Sequence, residues 1–174
     1  RRVGLHPVAA LTAALGLAFA PSFWGEANVQ RVYALNALFV VLATAAAWGW
    51  YVRRDAWPLV MAFACCGLGA ANHTFMGVYV LVLASWTVVV DPSVLRRPGL
   101  VASCAGVMVL GLLPYAFLPL RSAMEPPLDW GDPETLRGFL DVVLRRGFWE
   151  RAYIEGPADL GPILADWLLS LPRE

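Results

Sequence analysis

Four stretches of the chain, residues 3–25, 32–52, 56–90 and 98–120, contain no Asp, Glu, Lys or Arg. A bilayer crossing needs roughly 20 mostly apolar residues, and a charge at its centre costs about 2.5–3.5 kcal/mol on insertion scales. The gaps therefore predict membrane helices. The third gap is too long for one crossing and slightly short for two, and Asn72-His73 is the strongly polar pair near its middle. It divides into spans at 57–71 and 74–90. With 8–23, 32–51 and 100–117 this gives an all-α, polytopic transmembrane bundle of about five spans. Trp24, Trp48, Trp50, Tyr51, Trp57 and Tyr115 fall near the expected helix ends, where interfacial aromatic belts form.

The pattern changes after residue 120. Residues 119–133 are too rich in Pro and Gly for regular structure. Asp132, Pro133 and Glu134 then read as an N-cap, a first-turn proline and an acid favoured by the helix dipole. Leu136, Phe139, Leu140, Val143 and Leu144 follow at helical spacing, with Arg137, Asp141 and Arg145 on the other face. This predicts an external amphipathic helix lying on the membrane or against the spans. Residues 160–171 form another short surface helix or the start of a sixth span interrupted by Asp166. The organisation is thus a transmembrane region, 1–120, and an extracytoplasmic loop and amphipathic segment, 121–174.

Composition agrees with a membrane class. Hydrophobic residues make up 59% of the chain, and mean hydropathy is +0.61, against roughly 45–50% apolar content in soluble domains. Net charge is zero, yet ten of the thirteen acids lie in residues 125–174, as expected of a water-facing segment after a membrane one. All thirteen basic residues are Arg, which together with abundant Ala and Gly points to a GC-rich bacterial genome. The Arg pairs at 1–2, 53–54 and 96–97 fall in alternate connections, which places all three on the cytoplasmic side. Residues 22–31, the Asn72-His73 turn and everything after Leu118 are then external. Cys65, Cys66 and Cys104 sit in apolar runs and behave as small hydrophobes. A start at Arg1 and an end just after an apolar run lead us to expect a fragment cut at both ends.

The external segments hold nearly every polar residue able to do chemistry. In the first, Trp24 offers a flat face to a sugar ring, and Glu26 and Arg31 could hold a sugar or phosphate. The same residues would also serve as ordinary interface residues of a helix hairpin. Asn72 and His73 sit at or near membrane depth, where polar groups are functional by default, or form a helix-turn pair bonded to nearby backbone. Asp129 and Asp132 flank Trp130. Paired carboxylates suit acid and base work, although capping alone accounts for Asp132. Arg121 could neutralise a phosphate. One His without a second His or Cys at ligand spacing is a poor metal site, and no phosphate-cradling loop, zinc motif, nucleophile elbow or nucleic-acid module is matched.

Taken in order, Ser22-Phe23-Trp24 with Val32-Tyr33-Ala34-Leu35-Asn36, then Gly67-Leu68-Gly69-Ala70-Ala71-Asn72-His73-Thr74, then Leu118-Pro119-Leu120-Arg121-Ser122 and Pro127-Leu128-Asp129-Trp130-Gly131-Asp132-Pro133, resemble successive signatures of one family. It is a bacterial membrane family, formerly a domain of unknown function, related to the eukaryotic transmembrane O-mannosyltransferase of plexin-type receptors. The likeness runs from about Phe19 to Tyr153. It implies a GT-C type glycosyltransferase of the bacterial inner membrane, active on its extracytoplasmic face. Such an enzyme takes a mannose-like sugar from a polyprenyl-phosphate carrier and inverts the anomeric carbon as the sugar passes to an acceptor such as protein Ser or Thr. No tightly bound cofactor is expected. Partners would be the bilayer, the lipid-linked sugar and a protein acceptor, with no nucleic acid. Where family members carry an acid before the Val-Tyr-Ala-Leu-Asn block, this chain has Arg31. The main catalytic acid of such enzymes belongs in a first external loop, expected upstream of Arg1, so the fragment alone would be inactive. A transporter or flippase, and a non-catalytic membrane scaffold, are the rival readings. A transporter would need polar groups at mid-membrane, whereas these gather on one face.

Overall fold

The computed structural model describes residues 6–29, 32–151 and 156–170, and is all-α over them, with no strand among the described residues. Two compact units divide the chain, Arg1–Ala116 and Phe117–Glu174.

In the first unit the expected span at 8–23 breaks. Helix α1 (Pro7–Ala18) stops short, Ala20 is extended at ψ 131°, and Pro21 opens α2 (Pro21–Asn28), bent by 54° from α1. Proline has no N–H with which to continue the ladder and forces the preceding residue out of the α region. The same proline is pre-organised for a first turn, so the loop expected from Ser22 onward is largely helix. Next come α3 (Tyr33–Arg53), α4 (Ala56–Asn72), α5 (Met76–Val90), a 3-10 turn at Pro92–Arg96, α6 (Pro98–Leu110) and a second 3-10 turn at Leu113–Ala116.

By length and apolar composition, α3 and the helical run Pro98–Ser122 can cross a membrane, and the bent α1–α2 pair adds a third if it is one span. This is fewer than the five expected. The 17 residues of α4 and the 15 of α5 make about 25 and 23 Å of helix at 1.5 Å per residue, against a hydrocarbon core of about 30 Å. Residues 73–75, which form the turn between them, take up what each helix would need.

Helix α4 is the centre of the unit, packed on α3 and on α6. On α3 the buried residues are Ala43, Ala47 and Trp50, at i, i+4 and i+7, which is one stripe. On α4 they include Leu59, Ala62, Cys66 and Gly69. Small side chains on facing stripes let membrane helices approach closely. The approach is tightest between α4 and α6, where a Cβ on Gly67 would collide with the Met108 carbonyl oxygen and one on Gly111 would lie 2.6 Å from the Gly67 carbonyl carbon. Trp50, expected in an interfacial belt, is instead fully buried. It completes the Ala43–Ala47 stripe and meets Trp86 edge-on at 5.7 Å.

Arg53-Arg54 and Arg96-Arg97 lie at the same end of the unit; Arg1-Arg2 lies outside the described residues. Arg54 closes α3 in the left-handed conformation (φ 61°), its N–H bonded to the Trp50 carbonyl at 2.7 Å. Its guanidinium lies 5.1 Å from the Trp50 ring centre. Asp91 organises the second turn, accepting from Ser93 N at 3.1 Å and Ser93 Oγ at 2.6 Å, with Arg97 at 3.7 Å. The Ser93 hydroxyl first, and then Ser93 N–H and the fields of Arg97 and Arg54, hold the Asp91 carboxyl below the usual carboxylate range. A depressed folded pKa stabilises above the ordinary value, about 4, and that contribution is lost as pH falls through the folded one. Asp91→Asn should therefore be less stable than wild type at pH 7, with the gap closing below about pH 4 in thermal melts. A gap constant from pH 7 to 3 would remove this role.

In the second unit, α7 (Phe117–Ser122) gives way to an irregular segment. The amphipathic helix, α8 (Leu136–Val143), begins later than expected: its N-cap is Thr135, whose Oγ accepts from Gly138 N at 3.0 Å, and not Asp132. Asp132 is itself left-handed (φ 44°) and cannot cap from the extended geometry an N-cap uses. Before it, Gly131 has φ 78°, and a Cβ there would lie 2.5 Å from Val142 Cγ2. Both facts demand glycine. Gly131→Ala should lower the melting temperature of this unit, a loss of about 1–3 kcal/mol for overpacking and strain together, while Gly147→Ala, with open space around it, should be close to neutral. Helix α9 (Leu160–Ser170) has 11 described residues, about 17 Å of helix, with Asp166 within it; residues 171–174 lie outside the described residues.

Candidate functional site

The end of the first unit opposite the arginine turns carries a polar crown. There α3 begins and α4 ends. Asn72 Nδ2 donates to the Val32 carbonyl at 2.9 Å, which also takes Asn36 N–H at 2.9 Å. Asn36 Oδ1 is buried one turn along α3 with no hydrogen-bond partner in the structure, and such an oxygen loses its desolvation energy until a donor reaches it. His73 caps α4 and turns the chain: its Nδ1 accepts from Phe75 N–H at 3.0 Å. An accepting Nδ1 leaves Nε2 as the nitrogen that carries the proton. The ring lies 5.7 Å from that of Tyr33, tilted by 51°. Tyr115 Oη donates to the Ala70 carbonyl at 3.1 Å, which ties the chain after α6 to the last turn of α4. Glu26, in α2 against α3, is half-buried, with Oε2 shielded from solvent. Trp24 is exposed and stacks on Phe19 at 6.2 Å. Arg31 lies outside the described residues.

The structure thus joins Asn72 and His73 to the Tyr33–Asn36 turn, a pairing of segments 40 residues apart in sequence. Asn36 and Tyr115 were not singled out as site residues. The signal for Asn36 was available, since it is an amide inside an otherwise apolar run. Tyr115 read as one more belt aromatic, and its contact with Ala70 depends on the α4–α6 packing.

The second unit brings together a different group. Ser122, only 2% exposed, donates from Oγ to Asp129 Oδ2 at 2.6 Å, which fixes that carboxylate across the irregular segment. Arg121 is exposed in the last turn of α7. Trp130, 79% exposed, borders a hollow of about 290 Å³ with Gly131, Asp141, Val142, Arg145, Gly147 and Phe148. Asp141 pairs with Arg146 at 2.6 Å, and the Arg145 guanidinium lies 5.2 Å from the Phe148 ring centre. Asp132 is exposed in the turn before Thr135. Among the described residues no three His, Cys, Asp or Glu side chains come close enough to hold a metal ion.

Long apolar helices with hydrogen-bonding groups gathered at a helix end define a helical membrane protein. The chain belongs to the family of the Protein O-mannosyl-transferase TMEM260 N-terminal domain, whose sequence profile matches residues 3–95. Those residues include α1 to α5 and both halves of the crown turn. The chain is also 29% identical over 191 aligned residues to mouse Protein O-mannosyl-transferase TMEM260, an alignment that covers 100% of this chain and 26% of the relative. It therefore spans about a quarter of that protein's length. No solved structure matches the chain.

Proposed function

We propose that this chain is part of a bacterial, GT-C-like membrane glycosyltransferase that moves a mannose-like sugar from a polyprenyl-phosphate carrier to an acceptor hydroxyl, on a protein Ser or Thr, at the extracytoplasmic face. The observation that carries the reading is the crown, where the Val32–Asn36 and Asn72–His73 segments meet through the Asn72–Val32 bond and the Tyr33–His73 contact. In this proposal α4 and α5 also cross the bilayer, because α4 is tied to α3 near both of its ends, and the arginine turns face the cytoplasm. The crown then lies at the level where a lipid-linked sugar is presented, which favours transfer over the transporter reading, since a transporter would need these groups at mid-depth.

The roles follow from side-chain chemistry. In the first unit His73 Nε2–H is the donor suited to a carrier phosphate; in the second unit the Arg121 guanidinium is suited to one through its planar fork. Glu26 and Asp129 take polar-network or acceptor roles, and Asp129 is oriented for this by Ser122. Trp24 and Trp130 pack against sugar or lipid, and the hollow beside Trp130, with Asp141 and Arg145 on its wall, suits a polyhydroxyl group. The acid that activates the acceptor is assigned to the part of the longer protein outside this chain. The test is transfer from a polyprenyl-phosphate sugar by the full-length protein. Arg121→Ala should slow transfer at least tenfold with the protein folded, and Arg121→Lys should restore part of it. Normal transfer by Arg121→Ala would remove the phosphate role.

A further inference from the structure

Helices α5 and α6 both pack on α4 and are joined at the arginine end by the 3-10 turn Pro92–Arg96. Between them runs a crevice of about 230 Å³ with Phe63 on its α4 side, Ala84 and Val88 on α5, and Cys104 and Ala105 on α6. Thr87 also borders it, but its hydroxyl donates to the Leu83 carbonyl at 2.8 Å within its own helix, so the crevice offers no unmet polar group. Val94 and Leu95 close it at the arginine end, and the next two residues are Arg96 and Arg97. Charge is dense there. Arg97 Nη2 is held by Ser93 Oγ at 3.0 Å and lies near Asp91, whereas the Arg96 side chain is exposed. Arg54 adds its field at Asp91. The two turns together hold Arg53, Arg54, Arg96 and Arg97 against Asp55 and Asp91, a net of two positive charges.

We propose that this crevice takes one acyl chain of an anionic phospholipid whose headgroup phosphate is held by Arg96, with Arg97 and Arg54 supplying the surrounding positive field. The two halves of the ligand match two adjacent features: a lined apolar slot that runs along the helices, and a cationic rim at its closed end. A solvated phosphate alone would use the rim and ignore the slot. A zwitterionic lipid would use the slot, but its choline cation would offset much of what its phosphate gains at the rim. The site stands at the opposite end of the unit from the polar crown and needs no assumption about sugar transfer.

The test is a titration of the full-length protein in detergent with dioleoyl phosphatidylglycerol or dioleoyl phosphatidylcholine, with bound lipid counted by native mass spectrometry. One phosphatidylglycerol should be retained at least fivefold more tightly than phosphatidylcholine, since a basic residue near anionic lipid contributes about a fivefold factor. Arg96→Gln should weaken phosphatidylglycerol about fivefold and phosphatidylcholine, whose choline cation offsets its phosphate at the rim, by less. Ala105→Phe, which fills the slot from an exposed position, should weaken both, and glycerol phosphate should not compete. Equal retention of the two lipids, an unchanged Arg96→Gln, or an Ala105→Phe variant that binds as wild type would each overturn the proposal. So would the absence of any retained lipid, the outcome if another helix of the full-length protein fills the crevice.

Discussion

Gly67→Leu should unfold or severely loosen the first unit, with a loss at or above the upper end of the roughly 1–3 kcal/mol typical of overpacking. The reason is that a Cβ on Gly67 meets the carbonyl group of Met108 and its Cα, at 2.9 Å for the two carbons. Those are backbone atoms, with no rotamer to change. The two helices can accept the side chain only by separating, and separation removes contacts along α4 and α6. Gly111→Leu should behave alike, since its Cβ would lie 2.6 Å from backbone atoms of Gly67 and Leu68. Gly106→Leu supplies the control on the same helix, because nothing lies within 4 Å of a Cβ there. In detergent, melting of the Gly67 and Gly111 variants should fall by about 5–10 °C or more, with Gly106→Leu near wild type. If all three variants melt alike, the close approach of α4 and α6 is not what holds the unit together.

The second large effect concerns His73, and two substitutions separate its possible roles. His73→Asn places an amide oxygen where Nδ1 now accepts from Phe75 N–H, so the turn survives, but the reach of Nε2 is lost. His73→Gln keeps a donor near the position of Nε2 and gives up the turn bond. If Nε2–H supports the leaving phosphate, removing a donor aimed at developing charge costs about 10²–10³ in rate. His73→Asn should then lose transfer by that factor with little change in KM for the acceptor, and His73→Gln should recover a measurable part. The opposite order, with His73→Asn active and His73→Gln poor, would make His73 a structural cap of α4 and nothing more.

The membrane class and most helix positions were legible because charge-free runs leave few alternatives in a chain this apolar. The segments expected as spans at 32–51, 57–71 and 74–90 coincide with helices α3, α4 and α5 to within two residues at each end, although of these three only α3 is long and apolar enough to cross a membrane. The break at Ala20-Pro21 was legible in principle from the proline, but a hydropathy window averages over it. The cap at Thr135 shows a different limit. Asp132-Pro133-Glu134 carries every local signal of a helix start, yet the left-handed Asp132 and the packing of Gly131 against Val142 delay it. Local preference competes there with a tertiary contact that has no sequence signature. The same applies to Trp50, whose aromatic character suits an interface equally well but whose place on the Ala43–Ala47 stripe buries it. Of the candidate site, the Asn72-His73 pair stood out as polar residues in an apolar run, and the external segments stood out by composition. That Asn72 would reach Val32 depended on the register of α3 against α4.

Gly67 and Gly111 touch through main-chain atoms alone. The register of α6 on α4 consequently depends on the lack of a side chain at these two positions, with Leu59, Val60 and Cys104 buried in one cluster beside them. The outward positions of both helices can drift through evolution among Leu, Val, Ile and Phe without shifting Tyr115 from Ala70, and the chain can adapt its outer coat to bilayers of different composition while the crown keeps its shape.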